Sequence, residues 1–163
     1  GEEMPAFLES FEPAKALAYL PDVARLEVAM RESYHAADHV AVDPRAFDKD
    51  PEALMASRMT FAPSLRLIRS LFPIYGIWRF NHEDGAPKPS QSAEDVVILR
   101  VDMDPIPHHL PPGGGALIEA LLAQTTLGDA HEIAATDTPD FDLAQTLSIL
   151  IGAGAIASIG ETT

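Results

Sequence analysis

The chain contains no cysteine, which excludes a disulfide framework, a thiolate metal site and a cysteine nucleophile. No apolar run approaches the roughly 20 residues of a membrane-spanning helix. The opening stretch, Gly1 to Pro5 (GEEMP), lacks the basic and apolar regions of a secretory signal. A cytoplasmic protein is the expectation from those absences. Basic residues are scarce: 11 Lys and Arg stand against 25 Asp and Glu, for a net charge of −14. Between Gly113 and Thr163 there is no Lys or Arg at all. Nucleic-acid affinity comes largely from those side chains neutralising phosphates, so the last third of the chain is poorly equipped for it. The nucleophile elbow G-x-S-x-G, the P-loop and the dinucleotide fingerprint G-x-G-x-x-G are missing as well. Gly113, Gly114 and Gly115 have no lysine after them, so they read as a hinge and not as a phosphate cradle.

What is present is a globular composition, 47% apolar over 163 residues, enough for one domain or two small ones. Charge is unevenly spread. Residues 53–82 carry no acid and four arginines, Arg58, Arg66, Arg69 and Arg79, between two acidic stretches. Val23, Leu26, Met30, Tyr34 and Ala37 recur at intervals of three and four behind Pro21, which predicts a helix over 21–37. A short helical run from Ala6 to Phe11 precedes it, with Glu12, Pro13 and a second short run to Leu20 between them. Asp43-Pro44 and Asp50-Pro51 can each open a short helix. Met59 to Phe61 and Leu65 to Arg69 read as short strands, with a helix over 64–72 as the alternative. Pro73 to Asn81 reads as a buried short helix.

Residues 83–94 (EDGAPKPSQSAE) are the best boundary and predict a linker between a central region, 1–82, and a C-terminal module, 95–163. The module opens with β runs at Val96–Val101 and Ile106–Leu110, with Asp102 to Pro105 as their turn. A helix with Leu117, Ala120 and Leu121 inward comes next. A second starts at the box of Thr126 and Asp129. A third, capped by Asp142, carries the stripe Leu143, Leu147, Leu150 and Ile151. Ala155 to Ile159 closes the chain. The predicted fold class is α+β: a helical N-terminal region, a small sheet, and a winged-helix-like module of hairpin plus three helices. That shape usually reads DNA, but residues 113–163 carry a net charge of −7 and would repel each phosphate. An edge strand beside an apolar helix suits an extended peptide instead.

Few residues suggest chemistry. His35 and His39 fall at i and i+4, a spacing that can chelate a metal, but no third ligand is evident; a helix C-terminus where histidines meet the last carbonyls is the alternative. His108 and His109 are neighbours on a strand, so they point to opposite faces. No pair of acids stands out as catalytic, and no cofactor is implied. Arg58, Arg66, Arg69 and Arg79 form either a basic face for an acidic partner or a set that neutralises the protein's own acids, such as those in 22–32.

Three stretches carry a resemblance: Leu17 to Ala29 (LAYLPDVARLEVA) with Tyr34 to Ala36, Pro63 to Arg79 (PSLRLIRSLFPIYGIWR), and Thr126 to Asp129 with Phe141 to Gly154. Together they resemble the HvfC/BufC family, which has long carried a DNA-binding label. The resemblance implies that the chain is the C-terminal portion of a longer protein with a further N-terminal helical domain, Gly1 being a cloning remnant. It implies a non-catalytic partner of iron-dependent oxidases that modify ribosomally made peptides, with a PqqD-like peptide-recognition module. The peptide would lie along Ile106, His108 and Leu110, against Leu143, Leu147 and Ile151. The expected function is therefore a peptide-binding adaptor. The alternative is a transcriptional regulator that touches DNA through the absent domain or the Arg58–Arg79 island. Third is an enzyme with a His35/His39 metal site.

Overall fold

The computed structural model describes residues 1–12 and 16–161; of the predicted run between Glu12 and Leu20, residues 13–15 lie outside them. In chain order the elements are α1 (Met4–Ser10), α2 (Leu20–His35), a 3-10 turn (Pro44–Phe47), α3 (Pro51–Met55), β1 (Arg58–Phe61), β2 (Arg66–Ser70), α4 (Ile74–His82), β3 (Glu94–Val101), β4 (Asp104–His109), α5 (Gly114–Leu122), α6 (Leu127–Asp137), α7 (Leu143–Gly152) and β5 (Ile156–Gly160). The fold is α+β, with two antiparallel sheets: β2-β3-β4 and β1-β5. No helix among the described residues is long and apolar enough to cross a membrane.

The three-stranded sheet is covered on both faces, and β3 shows why. Val96, Val97, Ile98 and Leu99 are all essentially inaccessible, a continuous apolar run with no exposed face. Val96 and Ile98 pack with Ile68 of β2 and with Leu26 and Ala29 of α2. Val97 and Leu99 face the other way, into a larger core with Leu117 and Leu121 of α5, Leu127 of α6 and Leu150 of α7. The apolar positions of α2 at intervals of three and four thus meet one face, while the almost wholly apolar α5 fills the other.

Local signals set the helix ends. Pro21 occupies the first turn of α2. Asp43 accepts the Arg45 amide at the head of the 3-10 turn, Thr126 accepts the Asp129 amide and Asp142 accepts the Gln145 amide. Each satisfies an amide that the helix cannot. Residues 64–72 are strand and not helix, because Arg66 to Ser70 pair with Ile98 to Glu94. The buried Glu94 accepts the Tyr75 and Gly76 amides and so caps α4 from the neighbouring strand. Along α4 only Ile74 is fully buried, and Phe80 is largely exposed, so the helix lies on the surface.

Three further expectations are corrected. Residues 83–94 do not separate independent cores. β2 pairs with β3 and β1 with β5, and Met59 and Leu65 share a core with Val97 and Leu117, so each half completes the other. The hairpin turn is tighter than Asp102 to Pro105, because Val101 pairs with Asp104 and Asp102 turns the chain with a left-handed φ of 59°. Gly113 to Gly115 is not a hinge. It opens α5, with Gly113 at φ 84° under the Phe141 ring and Gly115 against the Asp95 carboxylate. No Cβ fits at either place.

Candidate functional site

The site begins with β4, whose one neighbour in the sheet is β3. The Leu110 amide donates to the Asp95 carbonyl at 2.9 Å, which fixes the phase of the ladder. In an antiparallel pair, residues facing the partner alternate with residues facing away. In the observed register Ile106 and His108 therefore bond to Leu99 and Val97, while Pro105, Pro107 and His109 turn their backbone groups outward. Both prolines thus sit where an N–H would point away from the sheet. This is the place an edge strand tolerates them.

Side chains alternate in the same way. Ile106, His108 and Leu110 lie on the α5 face, with Leu110 buried in the larger core and Ile106 45% exposed. His109 lies on the opposite face and stacks on Tyr75 of α4, with ring centroids 5.8 Å apart; the Arg79 guanidinium lies over the same ring, 5.8 Å from its centroid. Burial lowers the His108 pKa, and its Nε2 finds no partner among the described residues. The expected separation of His108 and His109 is what the structure has.

Two clefts flank the ends of β4, each closed on its far side by α7. One, of about 620 Å³, lies between His109–Gly113 and Gln145 and Ile149. The other, also about 620 Å³, lies between the hairpin tip, Val101 to Met103, and Gly152 to Gly154. At about 100° per residue, Gln145, Ile149 and Gly152 share one side of α7. Leu143, Leu147 and Ile151 take the other side; they pack partly buried against the larger core, as Ile149 also does at the cleft margin. The structure brings Ile106, His108 and Leu110 together along β4 but puts the three α7 residues expected opposite them elsewhere. The α7 residues that line the clefts, which the sequence reading did not single out, are Gln145, Ile149 and Gly152. Their signal was present, an i, i+4, i+7 stripe, but it is less apolar than the core stripe that outshone it.

The histidine pair does not form. α2 ends at His35, and Ala36 is extended, so the i, i+4 geometry is lost. His39 instead reaches the Gly154 carbonyl, Nε2 to O 2.7 Å, and ties the segment after α2 to the end of α7. Among the described residues no three His, Asp or Glu side chains gather in a way that could hold a metal ion.

The arginines do not make one face. Arg66 and Arg69 sit on opposite faces of β2: Arg66 pairs with Glu32 at 3.0 Å, and Arg69 with Glu119 at 2.8 Å and Asp95 at 3.3 Å. Arg58 donates to the Gln124 carbonyl, and Arg79 bonds Glu83 at 2.9 Å. Arg66, Arg69 and Arg79 engage the protein's own acids, and of these partners Glu32 belongs to 22–32. No family model matches the chain, and no curated protein matches it.

Proposed function

We propose that the chain is a non-enzymatic adaptor that holds a ribosomally made precursor peptide and presents it to an iron-dependent oxidase. The peptide lies along the outer edge of β4, with side chains turned toward Gln145 and Ile149. The observation that carries this reading is an edge strand with outward-facing carbonyls, set across a cleft from a helix with no Lys or Arg. Extended peptides bind such edges by adding a strand, and pockets beside the edge read alternate side chains. The acidic surface supports the same reading, since it repels nucleic acid and attracts a basic peptide. The family resemblance supplies the precursor and the oxidase as the expected pair.

Fluorescence anisotropy of a labelled precursor peptide encoded beside the protein's own gene tests the role. The substitution Ile149→Asp should weaken binding at least about tenfold, because it buries a charge against an apolar peptide side chain. Ser148→Asp, exposed and one position round the helix, should leave binding unchanged. Undiminished affinity in a folded I149D protein would sink the groove assignment. No binding of the precursor to the unaltered chain would sink the adaptor role.

A further inference from the structure

We propose that the β4 edge selects its occupant by backbone donors and by charge: an extended, net-basic peptide segment without proline where it faces Pro105 and Pro107. The inference rests on the peptide-holding role above and deepens it.

An ordinary edge strand offers an alternating row of N–H and C=O groups to a newcomer. This one turns outward the carbonyls of Pro105, Pro107 and His109, of which Pro107 is a buried residue, and, of amides, only that of His109, because proline has none. An added strand must therefore supply N–H groups at successive bonded positions while receiving almost none. A proline there would forfeit the bond altogether. Residues between those positions are not constrained in this way.

Charge narrows the occupant further. At the hairpin tip Asp102 and Asp104 are exposed, and neither pairs with a Lys or Arg among the described residues. Asp38, also beside the tip cleft, is 90% exposed although it meets Arg100. Next to them lie Val101, Met103 and Ile106, all large apolar side chains more than two-fifths exposed. Apolar side chains rimmed by exposed acids, two of them without a Lys or Arg partner among the described residues, suit a segment that alternates apolar and basic residues. A second copy of this chain suits the edge badly. Two β4 edges laid together would leave carbonyls facing proline nitrogens that have no N–H to donate, and each copy brings a net charge of −14.

The test uses the full chain. Random dodecapeptides displayed on phage are panned against it, and an enriched sequence is synthesised with one N-methyl group at each backbone amide in turn. The enriched peptides should be net basic. N-methylation at alternate positions should cost about tenfold or more in affinity, and at the intervening positions little. Pro105→Ala restores one outward amide and should tighten binding about fivefold; if that variant does not fold, the methylation profile still decides. A flat profile, or net-acidic winners, overturns the donor selection while leaving peptide holding intact. An alternating profile with unchanged affinity for folded P105A places the strand on another edge and overturns the assignment. Dimerisation of the unaltered chain through β4, seen by sedimentation, overturns it too. Failure to enrich any peptide removes both this inference and the role it rests on.

Discussion

Arg100 does the most with a single side chain. It sits on β3 with 7% of its side chain exposed, and its guanidinium donates to the carbonyls of Ser33, Tyr34, Ala36 and Ala37 at 2.8–3.1 Å. Those are the last carbonyls of α2 and the first beyond it; within the helix end itself the Ala36 amide reaches the Ser33 carbonyl at 3.3 Å, and Arg100 supplies further donors to this run. Arg100→Ala should cost about 2–4 kcal/mol in urea denaturation, through unpaired carbonyls and lost packing. Arg100→Lys should recover less than half, because an ammonium cannot fork across several acceptors. Gly115 is equally constrained: an added Cβ would collide with Asp95 Oδ2 and stand 2.8 Å from Asp95 Cβ. Rotating the carboxylate away would not clear it, so Gly115→Ala should destabilise by about 1–3 kcal/mol. Combining it with Asp95→Ala should return most of that loss in a double-mutant cycle. His108 adds a pH dependence. Burial lowers its folded pKa below the unfolded value of about 6.5. Its neutral form costs nothing above that value, and stability drains away as pH falls from about 6.5 toward the lower, folded pKa. Denaturation midpoints should fall over that window in the unaltered chain and less steeply in His108→Gln.

The elements divide into those that local pattern specifies and those that neighbours specify. α2 was legible because Val23, Leu26 and Met30 recur at helical spacing and bury one side. The starts of α6 and α7 were legible because Thr126 and Asp142 are short polar caps at the head of apolar runs. The hairpin was legible as two strands but not as a turn: Asp104 and Pro105 are good turn residues by type, yet the bend is made by Asp102 in a left-handed conformation. For α7 the apolar stripe marks the side that the core takes, so Leu143, Leu147 and Ile151 were drawn into the candidate groove by the property that removes them from it. The side of α7 that lines the clefts mixes Gln145 and Gly152 with Ile149, so as a stripe it does not stand out by hydropathy. The phase of Pro105 and Pro107 was also out of reach, because it depends on which amides meet β3.

At the scale of the molecule, the charge blocks and the apparent linker suggested separable units, whereas the sheets join them. The central region lends β2 to the hairpin and β1 to the terminal strand. A fragment limited to residues 95–163 would leave Val97 and Leu99 beside an unfilled edge and Ile156 without Phe61. Such a fragment should lack the dispersed amide spectrum of the full chain by NMR; a folded, cooperative fragment would show that the module is self-sufficient.

The pairing of Arg58 with Gly160 and Met59 with Ile159 also has a consequence in time. During synthesis β1 leaves the ribosome long before β5 exists, and closing so long a loop is slow. Until the last helix has cleared the exit tunnel, β1 has no partner and Met59, wholly buried in the finished fold, lacks its cover. A nascent chain stalled just short of Ile156 is thus an open-edged species, prone to aggregate and a natural client for a chaperone.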